Sequence, residues 1–346
     1  MTQALYLYGV AGAGRLPLSQ VYGVEGGVTV LEHGGLGAIV GAPPAGSLRE
    51  ISREKAVRLV LGHRQVLEAA VTGATVLPVK FGTVAPSEAA VRSLMRQQRD
   101  MLTGLLAEFS GCLQMEIAVL WQPQAVFAEI AAEPAIAEVR REAQNGGNKA
   151  AAVKLGQLVK AALERRRAAM REKLCDALRP VAMDIAFNAP ADDREAANLA
   201  VLIAQTDAGR LQAALERLGR ESAGRLTFHH TGPLPPASFA TLQVIFPCAQ
   251  AIARARQALE ITGPLTQKDI ASAFRRLARE HHPELSAAHG QSGERMDELS
   301  RAYRLLLACA KSQQRARPGD GLDEPVVLEI AGLRSELPLE QKRGAA

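Results

Sequence analysis

His281-His282-Pro283-Glu284 places two imidazoles and a carboxylate side by side, and Arg275, Arg276 and Arg279 precede them at helical spacing. Imidazole beside carboxylate can ligate a metal or move protons, but no further histidine follows at the spacing a zinc site requires, so no metal is expected there. His229 and His230 are adjacent on an alternating apolar run; on a strand they point to opposite faces and do not share one ion. Cys112, Cys175, Cys248 and Cys309 are too scattered for a disulfide framework or a paired ligand motif. The cluster from Gly9 to Gly14 spells G-x-x-G-x-G rather than G-x-G-x-x-G, with no Lys-Ser/Thr after it, and reads as a turn rather than a phosphate cradle. No G-x-S-x-G, H-E-x-x-H or C-x-x-C occurs, and the carboxylates are interspersed with basic residues. The expectation is a protein without catalytic task, cofactor or metal.

The chain of 346 residues, 47% of them hydrophobic, is long enough for two or three cores. It has no uncharged apolar run of membrane-spanning length and no basic, apolar signal segment at Met1 to Tyr6, which predicts a cytoplasmic protein with no membrane partner. The net charge of +5 lies in one stretch: Ala251 to Pro318 carries 12 Lys and Arg against 7 Asp and Glu, and the remainder is balanced. Aromatic residues make up only 4% and do not interleave with the basic ones, so nucleic acid is not the expected partner.

These side chains need elements to hold them. Leu5 to Tyr8, Val28 to Glu32 and Leu36 to Val40 read as strands. Ile51, Ala56, Leu59, Val60, His63, Val66, Leu67 and Ala70 recur at three- and four-residue spacing and mark an amphipathic helix from about Ser47. Thr75 to Val84 predicts a strand, Ser87 to Phe109 a helix capped by Ser87, and Cys112 to Trp121 an alternating strand that closes a ferredoxin-like α+β domain over residues 1–122. Residues 123–247 predict a helix-rich second α+β domain. It has a long helix from Lys149 to about Leu178, whose Glu164-Arg165-Arg166-Arg167 run reads as a solvated face with i,i+4 pairs. Strands follow at Met183 to Phe187, Ala196 to Gln205 and Arg225 to His230. The corner Thr231-Gly232-Pro233-Leu234-Pro235-Pro236-Ala237-Ser238-Phe239 comes next, with three prolines that argue against a regular ladder.

Leu5-Tyr6-Leu7-Tyr8-Gly9, Leu77-Pro78-Val79-Lys80-Phe81-Gly82-Thr83 and Gly232-Pro233-Leu234-Pro235-Pro236-Ala237-Ser238-Phe239, in that order, resemble the gas vesicle protein F/L family over roughly residues 1 to 245. The resemblance implies an accessory protein of gas vesicle assembly, located in the cytoplasm or on the vesicle. It would contact the small hydrophobic shell protein and other gas vesicle accessory proteins to assist nucleation or growth. Phe81 and Phe239 are the contact candidates by motif position. The family usually carries Trp at the position of Leu234 and Tyr at that of Ala237.

Residues 248–312 predict a helical hairpin. One helix, about Thr266 to Glu280, sets Ile270, Phe274 and Leu277 on one face and Arg275, Arg276 and Arg279 on another; a second, about Gly293 to Ala310, groups Met296, Leu299, Tyr303 and Leu306. From Leu259 to about Leu307 this hairpin resembles the J domain of Hsp40 co-chaperones, with His282-Pro283-Glu284 in place of the His-Pro-Asp loop. That second resemblance implies an alternative role acting on an Hsp70 partner. Residues 313–346 read as linker and tail, with one edge strand at Val326 to Ile330.

Overall fold

A computed structural model of the chain describes residues 3–46, 51–144, 149–281, 291–315 and 326–332. The chain divides into two compact units, Met1–Ser110 with Ala240–Ala331, and Gly111–Phe239 with Gly332–Ala346. Both are mixed α+β with antiparallel sheets.

In the first unit the leading strands are β1 (Leu5–Gly12), β2 (Val28–His33) and β3 (Leu36–Gly41). β1 is apolar without alternation because it runs through the middle of its sheet with both faces covered; Tyr6, Leu7, Tyr8 and Val10 are wholly buried. α1 spans Arg53–Val71, opened by Ser52, whose hydroxyl accepts from the Lys55 N–H at 3.2 Å. The strand expected over Thr75 to Val84 is two short ones, β4 (Val76–Pro78) and β5 (Val84–Ala85), each paired with β1. Beyond Pro78 the Val79 N–H still donates to the Tyr8 carbonyl at 2.8 Å, and the turn that follows is fixed by the Thr83 N–H and hydroxyl, both donating to the Lys80 carbonyl. The helix expected from Ser87 is likewise divided at Gln98 into α2 (Glu88–Gln97) and α3 (Arg99–Glu108), with Ser87 capping as anticipated. No Pro or Gly marks the break, so periodicity runs through it.

The alternating strand β6 (Cys112–Trp121) belongs to the second unit and not to the first sheet. It is followed by α4 (Pro123–Ala132), α5 (Pro134–Gln144), α6 (Lys149–Leu178), β7 (Ala182–Asn188), β8 (Glu195–Ala204), α7 (Ala208–Glu221) and β9 (Leu226–Leu234). The sheet order is β7-β8-β6-β9, so the strand expected to close the domain of residues 1–122 lies inside the sheet of the second unit. Alternation identified β6 as a half-buried strand, but a strand's partners are set by distant segments that alternation does not name. Ile117, Val119, Leu174, Leu199, Val201 and Leu215 join sheet and helices in one core.

The arginine run on α6 is not a solvated i,i+4 face. Arg165 and Arg166 both bind Glu133, at 2.9 and 2.7 Å, holding its carboxyl below the usual range. Arg167 is buried, donating to the backbone carbonyls of Asp192 and Glu195 and to Glu164. Trp121 Nε1 donates to the Asp193 carbonyl at 2.7 Å, so Trp121 and Arg167 together tie down the β7–β8 loop.

The chain then returns to the first unit. β10 (Thr241–Ile245), absent from the expectations, pairs with β11 (Val327–Ala331), the edge strand that was expected, and meets the first sheet where Leu242 bridges Val79 in parallel. α8 (Ala249–Ala258), α9 (Gln267–Glu280) and α10 (Gln291–Arg315) share a core of Leu259, Ile270, Leu277, Leu299 and Leu306, with the Phe274 and Tyr303 rings stacked 4.6 Å apart.

Candidate functional site

Two of the three sequence stretches that carry the family resemblance meet inside the first unit. Tyr6 and Tyr8 alternate on β1 with their rings 4.8 Å apart, and His63, from the buried face of α1, stacks on Tyr8 at 5.5 Å. The Tyr6 hydroxyl accepts from the Gly82 N–H at 3.0 Å and lies 3.0 Å from His63 Nδ1; the Tyr8 hydroxyl accepts from the Val24 N–H at 2.6 Å. Burial pushes both phenols above their ordinary range and lowers His63 to about 4, against a partial opposing effect of its hydrogen bond with the Val79 backbone. All three rings are neutral at pH 7, buried and hydrogen-bonded. They form a rigid pin joining β1, α1 and the turn after β4.

Phe81 is half-buried on this pin, edge-on to His63 at 5.7 Å and to Tyr6 at 6.4 Å. Gly9, which ends the first motif, shows how closely the strands approach: a Cβ there would lie 3.0 Å from the Leu77 carbonyl oxygen.

The third stretch closes the second unit. The strand does not end before the prolines: β9 runs through Gly232 and Pro233 to Leu234, reaching Gln114 across a bulge in β6. β9 is an edge strand, where a residue without an N–H is tolerated. Gln114, fully buried, then fixes the corner through its side chain, donating to Ser238 Oγ at 3.1 Å and accepting from the Ser238 N–H at 2.8 Å. Phe239 is half-buried, its N–H donating to the Pro236 carbonyl at 3.0 Å. Three residues later Leu242 accepts from the Lys80 N–H at 2.9 Å, adjoining the Phe81 turn.

The remaining candidates separate. Arg275, Arg276 and Arg279 are exposed on α9, where Arg276 pairs with Glu260 at 2.7 Å and Glu280 at 3.4 Å. His282, Pro283 and Glu284 lie outside the described residues.

α1 also carries an exposed apolar face that its main stripe does not indicate. Val60, whose spacing predicts burial with that stripe, is 45% exposed, and Val57 and Leu61 beside it are 51% and 58% exposed. Tyr22, 74% exposed, stands next to the same helix: Gly23 packs on Gly62, where a Cβ would come within 3.0 Å of the Gly23 carbonyl oxygen. The i, i+3, i+4 spacing of Val57, Val60 and Leu61 was visible in the sequence as a second stripe. This set can do no covalent chemistry; it offers apolar area to a partner. Among the described residues no helix is long and apolar enough to cross a membrane.

Residues 4–241 match the family described as gas vesicle synthesis protein GvpL/GvpF. Gas vesicle protein F of Streptomyces sp. is 27% identical over 242 residues, a match covering 68% of this chain and 98% of that protein. Gas vesicle protein L2 of Halobacterium salinarum is 27% identical over 262 residues, covering 69% and 92%. The crystal structure of the gas vesicle protein GvpF from Microcystis aeruginosa aligns with a TM-score of 0.56 at 23% identity over 68% of this chain and 98% of its own, and that from Anabaena sp. with 0.56 at 21% over 68% and 97%. At such identities the crystal structures show a shared fold. With the match extending over residues 4–241, the chain belongs to the GvpL/GvpF family of gas vesicle synthesis proteins.

Proposed function

We propose that this chain is an accessory protein of gas vesicle formation that holds the hydrophobic shell protein while it polymerises, and that it associates with the vesicle and with other gas vesicle proteins. The observation that carries the reading is the family match over residues 4–241. A shell subunit presents apolar and strand surfaces that self-associate in water, and a protein that delays this must offer apolar area of its own. Val57, Val60 and Leu61 on α1, with Tyr22 beside the helix, supply such area. In this role Phe81 stiffens the sheet behind that helix through His63, and Phe239 terminates the second unit; the task is stoichiometric binding, not catalysis.

Co-purification with the shell protein tests this: a stable complex is expected, and no complex under conditions that keep the shell protein soluble would end the proposal. The family match stops before the helical module of α8 to α10. No observation favours the Hsp70 alternative.

A further inference from the structure

The exposed face of α1 is patterned about its own middle. Around the midpoint between Val60 and Leu61, residues at equal distance carry complementary side chains: Val60 mirrors Leu61, Val57 mirrors Arg64, and Arg53 mirrors Glu68. At helical spacing these residues fall in one stripe about 100° wide. Arg53 is exposed, and the Arg64 and Glu68 side chains keep 35% and 40% of their surface. Arg64 Nε donates to Glu68 Oε1 at 2.8 Å, and a carboxylate has lone pairs for a second donor. Glu54 and Arg58, one turn apart on the flank, are of opposite sign and leave that flank neutral.

A face with an apolar centre and opposite charges at its two ends is its own complement under a two-fold axis. Laid antiparallel across a second copy, Val60 and Leu61 meet Leu61 and Val60 at the axis, and Val57 covers the aliphatic stem of Arg64. Arg53 then reaches Glu68 at both ends of the contact. A parallel pairing would set Arg53 on Arg53 and Glu68 on Glu68, which like charges oppose. Tyr22, 74% exposed and held beside Gly62 by the packing of Gly23, adds an aromatic ring close to the axis.

We infer that, when no shell protein is bound, two copies of this chain pair through α1 in this antiparallel arrangement. The pairing stands on the helix face alone; only its displacement by shell protein, which needs the same Val57, Val60 and Leu61, rests on the function proposed above.

Sedimentation of the full chain on its own tests this. A concentration-dependent monomer–dimer equilibrium is expected, with a Kd on the order of tens of micromolar, as a contact of one helix face allows. Arg53→Glu and Glu68→Arg are each expected to weaken it about tenfold with the circular dichroism unchanged, because the two-fold axis reverses two ion pairs at once. Both substitutions in one chain, or a mixture of the two single variants, should restore the native affinity. Residues 53 and 68 lie about 22 Å apart along the helix, so such rescue arises only between copies. A native chain that stays monomeric up to ~200 µM, single variants that pair like the native chain, or a double variant as weak as the single ones would overturn the inference. A monomeric chain that captures shell protein removes the pairing and leaves the proposed function; a dimer that captures none removes the function and leaves the pairing.

Discussion

A Cβ at Gly232 would sit 2.5 Å from Met115 Sδ and 3.0 Å from the Gln114 carbonyl oxygen, at a φ of +151° that side-chain-bearing residues rarely adopt. The sulfur can move aside but the carbonyl cannot, so Gly232→Ala is expected to destabilise the second unit by about 1–3 kcal/mol, measured as a lower denaturant midpoint. An unchanged midpoint would show that β6 yields at its bulge. His63 makes a second prediction at this scale. Its folded value of about 4 lies below the ordinary 6.5, so the unfolded chain takes up a proton that the folded chain refuses. Stability is therefore complete above about pH 6.5 and falls as the pH drops toward 4, by up to about 3 kcal/mol from this group. His63→Gln should flatten that part of the stability profile; an unaltered slope would place the acid sensitivity elsewhere. The sequence made Tyr6, Tyr8 and Phe81 visible as motif residues and His63 as part of the apolar stripe of α1. It did not show that they touch, because the hydrogen bond from the Gly82 N–H to Tyr6 joins residues 76 apart, and no local pattern encodes such a separation.

α1 illustrates what an element's periodicity states and what it leaves open. Leu59, His63, Val66, Leu67 and Ala70 face inward as their spacing predicts. Val60 belongs to the same run by hydropathy yet faces outward with Val57 and Leu61, because α1 covers its sheet with one face only. The double variant Val57→Asp, Leu61→Asp should therefore leave the melting temperature nearly unchanged, surface substitutions costing roughly 0.5 kcal/mol or less, while weakening the shell-protein complex at least tenfold in quantitative pull-down. A large drop in melting temperature with binding intact would mean that this face is structural. Strand limits were the least legible feature. β9 passes through Pro233 because an edge strand needs no outward N–H there, and whether a strand lies at an edge is a property of the assembled sheet. α9 and β11 were legible because amphipathic spacing and a β-branched run are local signals.

For the whole molecule, the α+β class was legible from the succession of strand and helix signals and the family from three short stretches, and the course of the chain was not. The first unit is left at Ser110 and re-entered at Ala240, so the helical module after the family match shares its unit with the N-terminal sheet. Ending the chain after Ala240 removes Leu242, the acceptor of the Lys80 N–H and the bridge partner of Val79. That truncation is expected to lower the stability of the first unit by at least ~1 kcal/mol, seen as earlier unfolding in calorimetry; coincident transitions would show that β10 adds nothing. The central proposal is that this chain of the GvpL/GvpF family works by holding shell protein through an apolar face. Co-expression with the shell protein, followed by affinity capture and quantification of the captured subunit, tests it most directly. The account predicts stoichiometric capture by the native chain and its loss in Val57→Asp, Leu61→Asp; no capture by the native chain, with both proteins soluble, would contradict it.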